Sequence, residues 1–438
     1  MSVKKILYQS VVWRGLFYLT VFLLNILIAR NYGAKQSGEV YYLINIFSLI
    51  LLFTGLSIES GITYFTAKTS IEPGKLLGFS IGWAVLTGGV TWSVFYFLLQ
   101  PYYQLPGAVL MFAVFAFILG NHLLVYSTAF FYAQNNFVFP NAVNVFINLL
   151  LMAILPYNGV SILPFVTGDT YFYYYFGSYL VAGLILTLIV KLRFIKSSGA
   201  SFLSFREFKQ LIAYCMMAYF SNIVFFFLYR IDYWFVQHYC SGEELGNYIQ
   251  VSKIGQLFFV LPTILASVVF PLTASGNNEQ IKGMLTLLSR SLLWLYAGIC
   301  LLLIITGQFL FPLVFGKGFE PMYTSFLFLI PGILSLSMLF TLTAFYAGKN
   351  QIGVNIKGAL IALCVVITGD FLLIPAYGIN AASFVSSVGY FIYLIVVLHL
   401  FVKEYQVSLS VFFVIRKSDF ISIWHNIVQK INPADDNR

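Results

Sequence analysis

The chain has 438 residues, of which 60% are hydrophobic and only 9% charged, and its formal net charge is +9. So few charges cannot cover the surface of a water-soluble fold of this length, which points instead to a polytopic membrane protein. The basic excess is read as a bias toward one membrane face and its anionic lipids, and not as a footprint for nucleic acid.

Taken in chain order, apolar runs of bilayer length predict about twelve helices. They fall at roughly 11–30, 39–66, 76–99, 107–132, 137–156, 171–190, 211–239, 247–272, 284–312, 323–347, 354–374 and 381–402. The opening "MSVKK" could begin a signal peptide, but the apolar run continues past Arg14 to Arg30 with no small-residue cleavage site, so it reads as a retained first helix. Connections such as "NYGAKQSG", "PYYQLPG", "CSGEELG", "FGKGFEP" and "PAYGIN" carry turn chemistry and are too short to fold separately. The basic stretch "KLRFIKSSGASFLSFREFK" stands between two sets of six helices. The expected organisation is therefore all-α: a six-helix lobe over 1–190, a cytoplasmic connector over 191–210, a second lobe over 211–402 and a tail over 403–438. In the tail, Phe413, Phe420, Ile423, Trp424, Ile427 and Ile431 recur near helical spacing among charges, which predicts an amphipathic helix on the inner leaflet.

Orientation follows from the basic residues, which are retained on the cytoplasmic side during insertion. Most of the 24 lysines and arginines lie on one set of alternating connections, whereas the outer stretch 157–170 carries Asp169 and no base. Both termini are expected in the cytoplasm, and a bacterial inner membrane is the expected location. Cys215, Cys240, Cys300 and Cys364 sit on separate segments and suggest neither a disulfide framework nor a metal site.

The two sets of helices carry matching phrases. "FYAQNN" (131–136) follows the fourth helix and "FYAGKN" (345–350) the tenth. "FTAK" (65–68) pairs with "LTAS" (272–275), and "ILPYNGV" (154–160) with "LIPAYGI" (373–379). Because each set has an even number of helices, the halves are expected to run parallel about an axis along the membrane normal, enclosing a central cavity that opens to either side by rocking. In the repeated turns, Asn136 and Asn350 are expected to stop their helices in left-handed geometry. The rings Phe131, Tyr132, Phe345 and Tyr346 are expected to anchor at the inner interface.

Charges inside the bilayer cost about 2.5–3.5 kcal/mol each at a helix centre, so those present are candidates for function. They are Arg14, Glu59, Arg230, Asp232, Lys253 and Asp370. Arg14 and Glu59 lie toward the cytoplasmic side of consecutive helices, where a neutralising pair could form, and Asp232 could pair with a neighbouring base. Asp370 stands near an outer end and reads as interfacial, while His122 and His399 read as packing or surface residues. Glu59, Asp232 and Asp370 are the candidates for ion coupling or charge pairing. No phosphate-binding loop occurs, since "PGK" (73–75) and "GKG" (316–318) lack its spacing. No cofactor or catalytic residue is expected, and the driving force would be the membrane potential or a proton or sodium gradient.

Three long stretches then carry a resemblance: "LIARNYGAKQSGEVYYLINIFSLI" (27–50), the segment from "YRIDYWFVQHYC" to "VVFPLTA" (229–274), and "LVFGKGFEPMYTSFLFLIPG" running on to "LLIPAYGINAASF" (313–384). They resemble the polysaccharide exporters and lipid-linked oligosaccharide flippases of the multidrug/oligosaccharidyl-lipid/polysaccharide superfamily. The resemblance implies two six-helix lobes that move a polyprenyl-pyrophosphate-linked glycan to the outer leaflet, with O-antigen-type export as the role and polysaccharide-assembly proteins as partners. It also implies that Arg14 and Lys253, on the first and eighth helices, face the substrate, with Arg230 a further candidate. The chain has fewer helices than the longer relatives that handle peptidoglycan precursors, which weighs against that role. A cation-coupled drug exporter of the same superfamily is the alternative. A membrane glycosyltransferase or polymerase is disfavoured, because the outer stretch 157–170 is too poor in acids and bases.

Overall fold

The structure is a computed structural model that describes residues 3–99, 107–157, 161–168, 170–195, 202–274 and 278–414. It is all-α. In chain order the helices are α1 (Val3–Gly55), α2 (Ile58–Ala67), α3 (Pro73–Val94), α4 (Gly107–Ala133), α5 (Val138–Ile154), α6 (Tyr171–Phe194), α7 (Phe205–Arg230), α8 (Asp232–Tyr239) and α9 (Gly242–Leu257). They continue with α10 (Val260–Ala274), α11 (Asn278–Phe315), α12 (Met322–Gly348) and α13 (Ile352–Tyr405), and a 3-10 turn covers Leu409–Phe412.

Among the described residues, nine helical stretches are long and apolar enough to cross a membrane, and Val138–Ile154 is a shorter apolar helix. Two of the nine are double. α1 has 53 residues and α13 has 54, and each contains one non-helical glycine, Gly33 (φ 74°) and Gly378 (φ 59°). Counting both sides of each glycine, the chain supplies twelve apolar segments, in the order expected; they are numbered below as spans. The difference lies in the connections. "NYGAKQSG" and "PAYGIN" are not loops: the helix continues through them, and the reversal is concentrated at one residue that can take a positive φ without a Cβ clash.

The chain packs as two compact units, Met1–Gln250 with Phe311–Pro321, and Val251–Leu310 with Met322–Arg438. In the first, the start of the second span meets α9 backbone to backbone, so that a Cβ on Gly38 would stand 2.6 Å from the Gly246 Cα. Arg30 donates to the Leu313 carbonyl (2.9 Å) and Asn247 to the Gly318 carbonyl (2.9 Å), which ties the hairpin at 311–321 to this unit.

Each unit is organised by one close helix pair, and the two pairs correspond. In the first, α4 packs on α6 through Gly120 and Gly183; a Cβ on Gly120 would overlap the backbone of Tyr179 and Leu180. In the second, α12 packs on the later half of α13, where a Cβ on Gly332 would stand 2.9 Å from the Ser387 Cα, and Ser325 bonds Ser383 (2.7 Å). Lipid offers little hydrophobic drive between helices, so small residues that bring backbones together supply the attraction.

The repeated turns are built alike, with one shift. Asn136 N–H bonds the Phe131 carbonyl (3.0 Å) and Gln351 N–H the Tyr346 carbonyl (2.8 Å), the helix-ending pattern that satisfies late carbonyls. The left-handed residues are Asn135 (φ 57°) and Asn350 (φ 59°), so Asn136 is not the stop; its side chain instead accepts from the Phe139 amide at the start of α5 (3.2 Å). Phe131, Phe345 and Tyr346 are buried, not interfacial. Phe131 packs on Phe194 at the end of α6, and Phe345 on Phe401 and Tyr405 at the end of α13, so the rings lock the same helix pair in each unit.

After α13 the chain is fastened to α11: Arg290 donates to the Val411 carbonyl (2.6 Å) and Trp294 to the Phe413 carbonyl (2.8 Å). On the first unit, Ser204 and Glu207 form a reciprocal cap on α7, and Glu207 pairs with Lys75 (3.2 Å). The expected amphipathic helix beyond Val414, Asp169 and residues 196–201 of the connector lie outside the described residues.

Gly120→Ala tests the α4–α6 contact. The added methyl meets backbone that cannot yield, and overpacking of this kind costs about 1–3 kcal/mol. A lowered unfolding temperature in detergent is expected for Gly120→Ala. No change is expected for Gly82→Ala, whose Cβ would meet nothing within 4 Å.

Candidate functional site

The first span, α2, α4 and α5 enclose a cavity of about 270 Å³ within the first unit. Its walls carry Phe17, Glu59, Ser60, Thr63, Thr128, Tyr132, Asn141 and Asn144. The asparagines give an otherwise apolar helix polar groups on the cavity side. Asn141, Asn144 and Asn148 recur at intervals of three and four, which places them on one face of α5. Asn148 donates to the Thr20 hydroxyl on the first span (3.1 Å), and Asn141 to the Tyr132 hydroxyl (3.1 Å). The Thr128 hydroxyl, on a residue of the cavity wall, is buried without a hydrogen-bond partner among the described residues.

Arg14 stands one turn before Phe17 on the first span. Its guanidinium carbon lies 4.9 Å from the centre of the Tyr132 ring and 5.1 Å from that of Phe137. Such contacts contribute about 0.5–2 kcal/mol each and leave the N–H edges of the fork unused. The neutralising pair with Glu59 does not form: among the described residues Arg14 meets no carboxylate. Two aromatic faces hold the cation instead, and Glu59, in the first turn of α2, lies along the cavity wall.

The remaining sequence candidates fall elsewhere. Arg230 donates to the Asn45 side chain (3.2 Å) and packs over Phe226 (5.5 Å). Asp232 is buried and accepts a hydrogen bond from the Tyr248 hydroxyl. These residues form a second polar group of the first unit, toward the opposite end of the spans from Arg14. Lys253, half-buried on α9, and Asp370 belong to the second unit. Asp370 is fully buried, not interfacial. Gly369 beside it admits Val385 so closely that a Cβ there would stand 2.7 Å from a Val385 methyl.

Two features escaped the sequence reading. The second span is broken after Gly55, and His122, read as packing, is hydrogen-bonded at that break. The signals were faint: "TGLS" inside an otherwise apolar run, and a histidine within a helix that carries no other charge. The asparagine stripe on α5 was visible in the spacing but is ordinary until its partner on the first span is known.

Tyr248→Phe is expected to destabilise the first unit by about 1–3 kcal/mol, because it removes a donor from a buried carboxylate. A double-mutant cycle with Asp232→Asn, read by thermal unfolding, is expected to show non-additivity.

No family model and no curated protein sequence matches the chain. Solved structures do. A structure of the lipid II flippase MurJ in an inward closed conformation is similar with a TM-score of 0.73 at 13% identity, over 98% of this chain and 93% of that one. An inward-facing multidrug resistance MATE family transporter of the MOP superfamily gives 0.71 at 11% identity, over 89% and 94%. The Vibrio cholerae MATE transporter VcmN gives 0.65 at 14% identity, over 93% and 98%. The fold is therefore that of MOP superfamily membrane transporters.

Proposed function

We propose that the chain is a flippase that carries a polyprenyl-pyrophosphate-linked oligosaccharide from the cytoplasmic to the outer leaflet of a bacterial inner membrane, for polysaccharide export. The fold by itself serves a lipid II flippase and multidrug exporters alike, so the substrate has to be read from this chain's own residues. The observation that carries the reading is Arg14. Its charge sits inside an apolar bundle on two aromatic rings, with no carboxylate to cancel it, and its donor edges stay available. A pyrophosphate is the matching guest, because planar guanidinium forks bind phosphate oxygens by paired, charge-assisted hydrogen bonds. The sugar would meet the amides and hydroxyls of Asn141, Asn144, Thr63 and Thr128 beyond it. Lys253 is the second base assigned to the substrate, and Arg230, engaged with Asn45, is the weaker of the three.

Energetics favour outward movement. An anionic headgroup leaving a negative interior gains about 2.3 kcal/mol per charge per 100 mV. Neither ATP nor a cofactor is needed for that step, and proton or sodium coupling through Glu59, Asp232 or Asp370 would add to it.

One observation favours a second reading. The ionisable residue on the cavity wall itself is Glu59, which suits a cationic drug better than an anion. Binding to purified protein in detergent separates the two. Polyprenyl-pyrophosphate-linked glycan is expected to bind, whereas the phosphate-free lipid and a lipophilic cation are not. Arg14→Gln is expected to weaken glycan-lipid binding about tenfold to a hundredfold, the worth of one or two charge-assisted hydrogen bonds, and Lys253→Gln to act in the same direction. Binding of the cation that is lost in Glu59→Gln and untouched in Arg14→Gln would favour the exporter.

Orientation has its own check. Cysteines introduced at Lys68 and Asn350 are expected to react with an impermeant maleimide only from the cytoplasmic side.

A further inference from the structure

The second span does not cross as a single helix. α1 ends at Gly55, Leu56 and Ser57 take φ values of 49° and 52°, and α2 restarts at Ile58. Neither residue is a glycine, so the break is strained and depends on its surroundings to persist. Four side chains hold it. Trp83 Nε1 donates to the Thr54 carbonyl (2.7 Å), the Tyr126 hydroxyl to the Gly55 carbonyl (3.3 Å) and the Asn222 amide to the Ser57 hydroxyl (3.0 Å). The fourth is His122, whose Nε2 lies 2.9 Å from the Thr54 hydroxyl oxygen.

That hydroxyl fixes the state of the imidazole. Thr54 gives its proton to the Ile50 carbonyl (2.7 Å), so toward His122 it can only accept. Nε2 therefore carries hydrogen, and the neutral ring keeps its lone pair on Nδ1. Nδ1 makes no hydrogen bond among the described residues. The ring edge that bears it faces Gly55, where a Cβ would stand 3.3 Å from Cε1 and 3.8 Å from Nδ1. The arrangement is a closed donor on one side of the ring and an open base on the other, both directed at the break.

Burial sets a cost on any charge there, and the groups that face the ring from each neighbouring element are these. From the second span, the carbonyls of Thr54 and Gly55 form the negative end of the helix that starts after Gly33. From α4, Tyr126 stacks on the imidazole with ring centres 5.3 Å apart. Glu59 from α2 and Cys215 from α7 lie close enough to act electrostatically on the Tyr126 hydroxyl, and α3 contributes Trp83. No basic side chain is among these groups.

We propose that His122 is a proton-binding residue of the transport cycle: a proton taken on Nδ1 makes the ring an imidazolium and loosens the break in the second span, and loss of that proton resets it. The new Nδ1–H needs an acceptor in a buried place, and it competes with Tyr126 for the Gly55 carbonyl. Any rotation at Leu56 and Ser57 swings the start of α2, and with it Glu59 on the cavity wall. Proton occupancy at His122 thus sets where the cavity's carboxylate stands. The phrase "transport cycle" rests on the reading above; the proton-dependent change at the break does not.

The test reads the break without substrate, so failure of the flippase reading would leave its result intact. Trp83 is bonded to Thr54 and reports on the break. In full-length protein labelled with 5-fluorotryptophan, Trp83→Phe identifies its resonance among the six tryptophans. Fluorine NMR over about pH 4 to 9 is expected to show this resonance shifting or splitting as the solution is acidified. His122→Gln keeps an amide donor for Thr54 but takes no proton, so its Trp83 resonance is expected to stay fixed. Titration that survives in Glu59→Gln and vanishes in His122→Gln supports the proposal. A flat wild-type profile overturns it whatever the variants do, and so does a titration that persists in His122→Gln or disappears in Glu59→Gln alone.

Discussion

A bilayer core offers no water to a peptide group, so each backbone N–H and C=O within it must find a partner in the protein. The rest of this structure depends on that constraint, and its breaks show it best. At Gly33 the Ser37 hydroxyl donates to the glycine's carbonyl (2.6 Å); after Gly378 the Ser325 hydroxyl reaches the Ile379 carbonyl (3.2 Å). At Gly55 two aromatic donors cover two carbonyls. At these three breaks side chains donate to carbonyls that the helix leaves behind. This is why indole and phenol groups, which combine an apolar body with one polar tip, occupy places that aliphatic residues could otherwise fill.

Once the backbone is satisfied, packing decides which helices meet. With lipid tails as apolar as leucine, attraction comes from close contact, and close contact requires small residues. Gly120 and Gly183 do this for α4 and α6, and Gly332 and Ser387 for α12 and the end of α13. The rings Phe131 and Phe345 close the same pairs at the end where α4 and α12 stop. The internal repeat thus has a physical content beyond its matching letters: it preserves one helix pair and its lock in each unit.

The candidate functional residues sit where these rules are relaxed. Arg14 is carried by aromatic faces and not by a counter-ion, so its positive charge survives inside the bundle. Asn141 and Asn144 line a cavity, Asn141 while bonded to Tyr132 on α4, and among the described residues the hydroxyl of Thr128 has no partner. A polar guest would complete this set of groups, and one with an anionic link and a hydroxyl-rich body fits its chemistry. His122 differs from them in holding a strained piece of backbone and not a wall of the cavity.

The sequence alone determined the solvent, the helix count and order, the repeat, and the residues whose burial demanded a reason, because each follows from composition, run length or charge and needs no partner. Arg14, Glu59 and Asp232 could be picked out for that reason. The tertiary structure decided what each of them meets. Arg14 was open to Glu59 or to solvent on sequence grounds; only the approach of α4 and α5 brought Tyr132 and Phe137 beneath it. Asp370 looked interfacial from its place in the sequence, and the packed unit buries it fully. After α4 the left-handed residue is Asn135 and not Asn136, and Phe131 packs on Phe194 of α6, a contact between residues far apart in the chain. The break at Leu56 and Ser57 had almost no local signal, since two ordinary residues take a left-handed conformation only where Trp83, Tyr126, His122 and Asn222 converge from three other helices to hold them there.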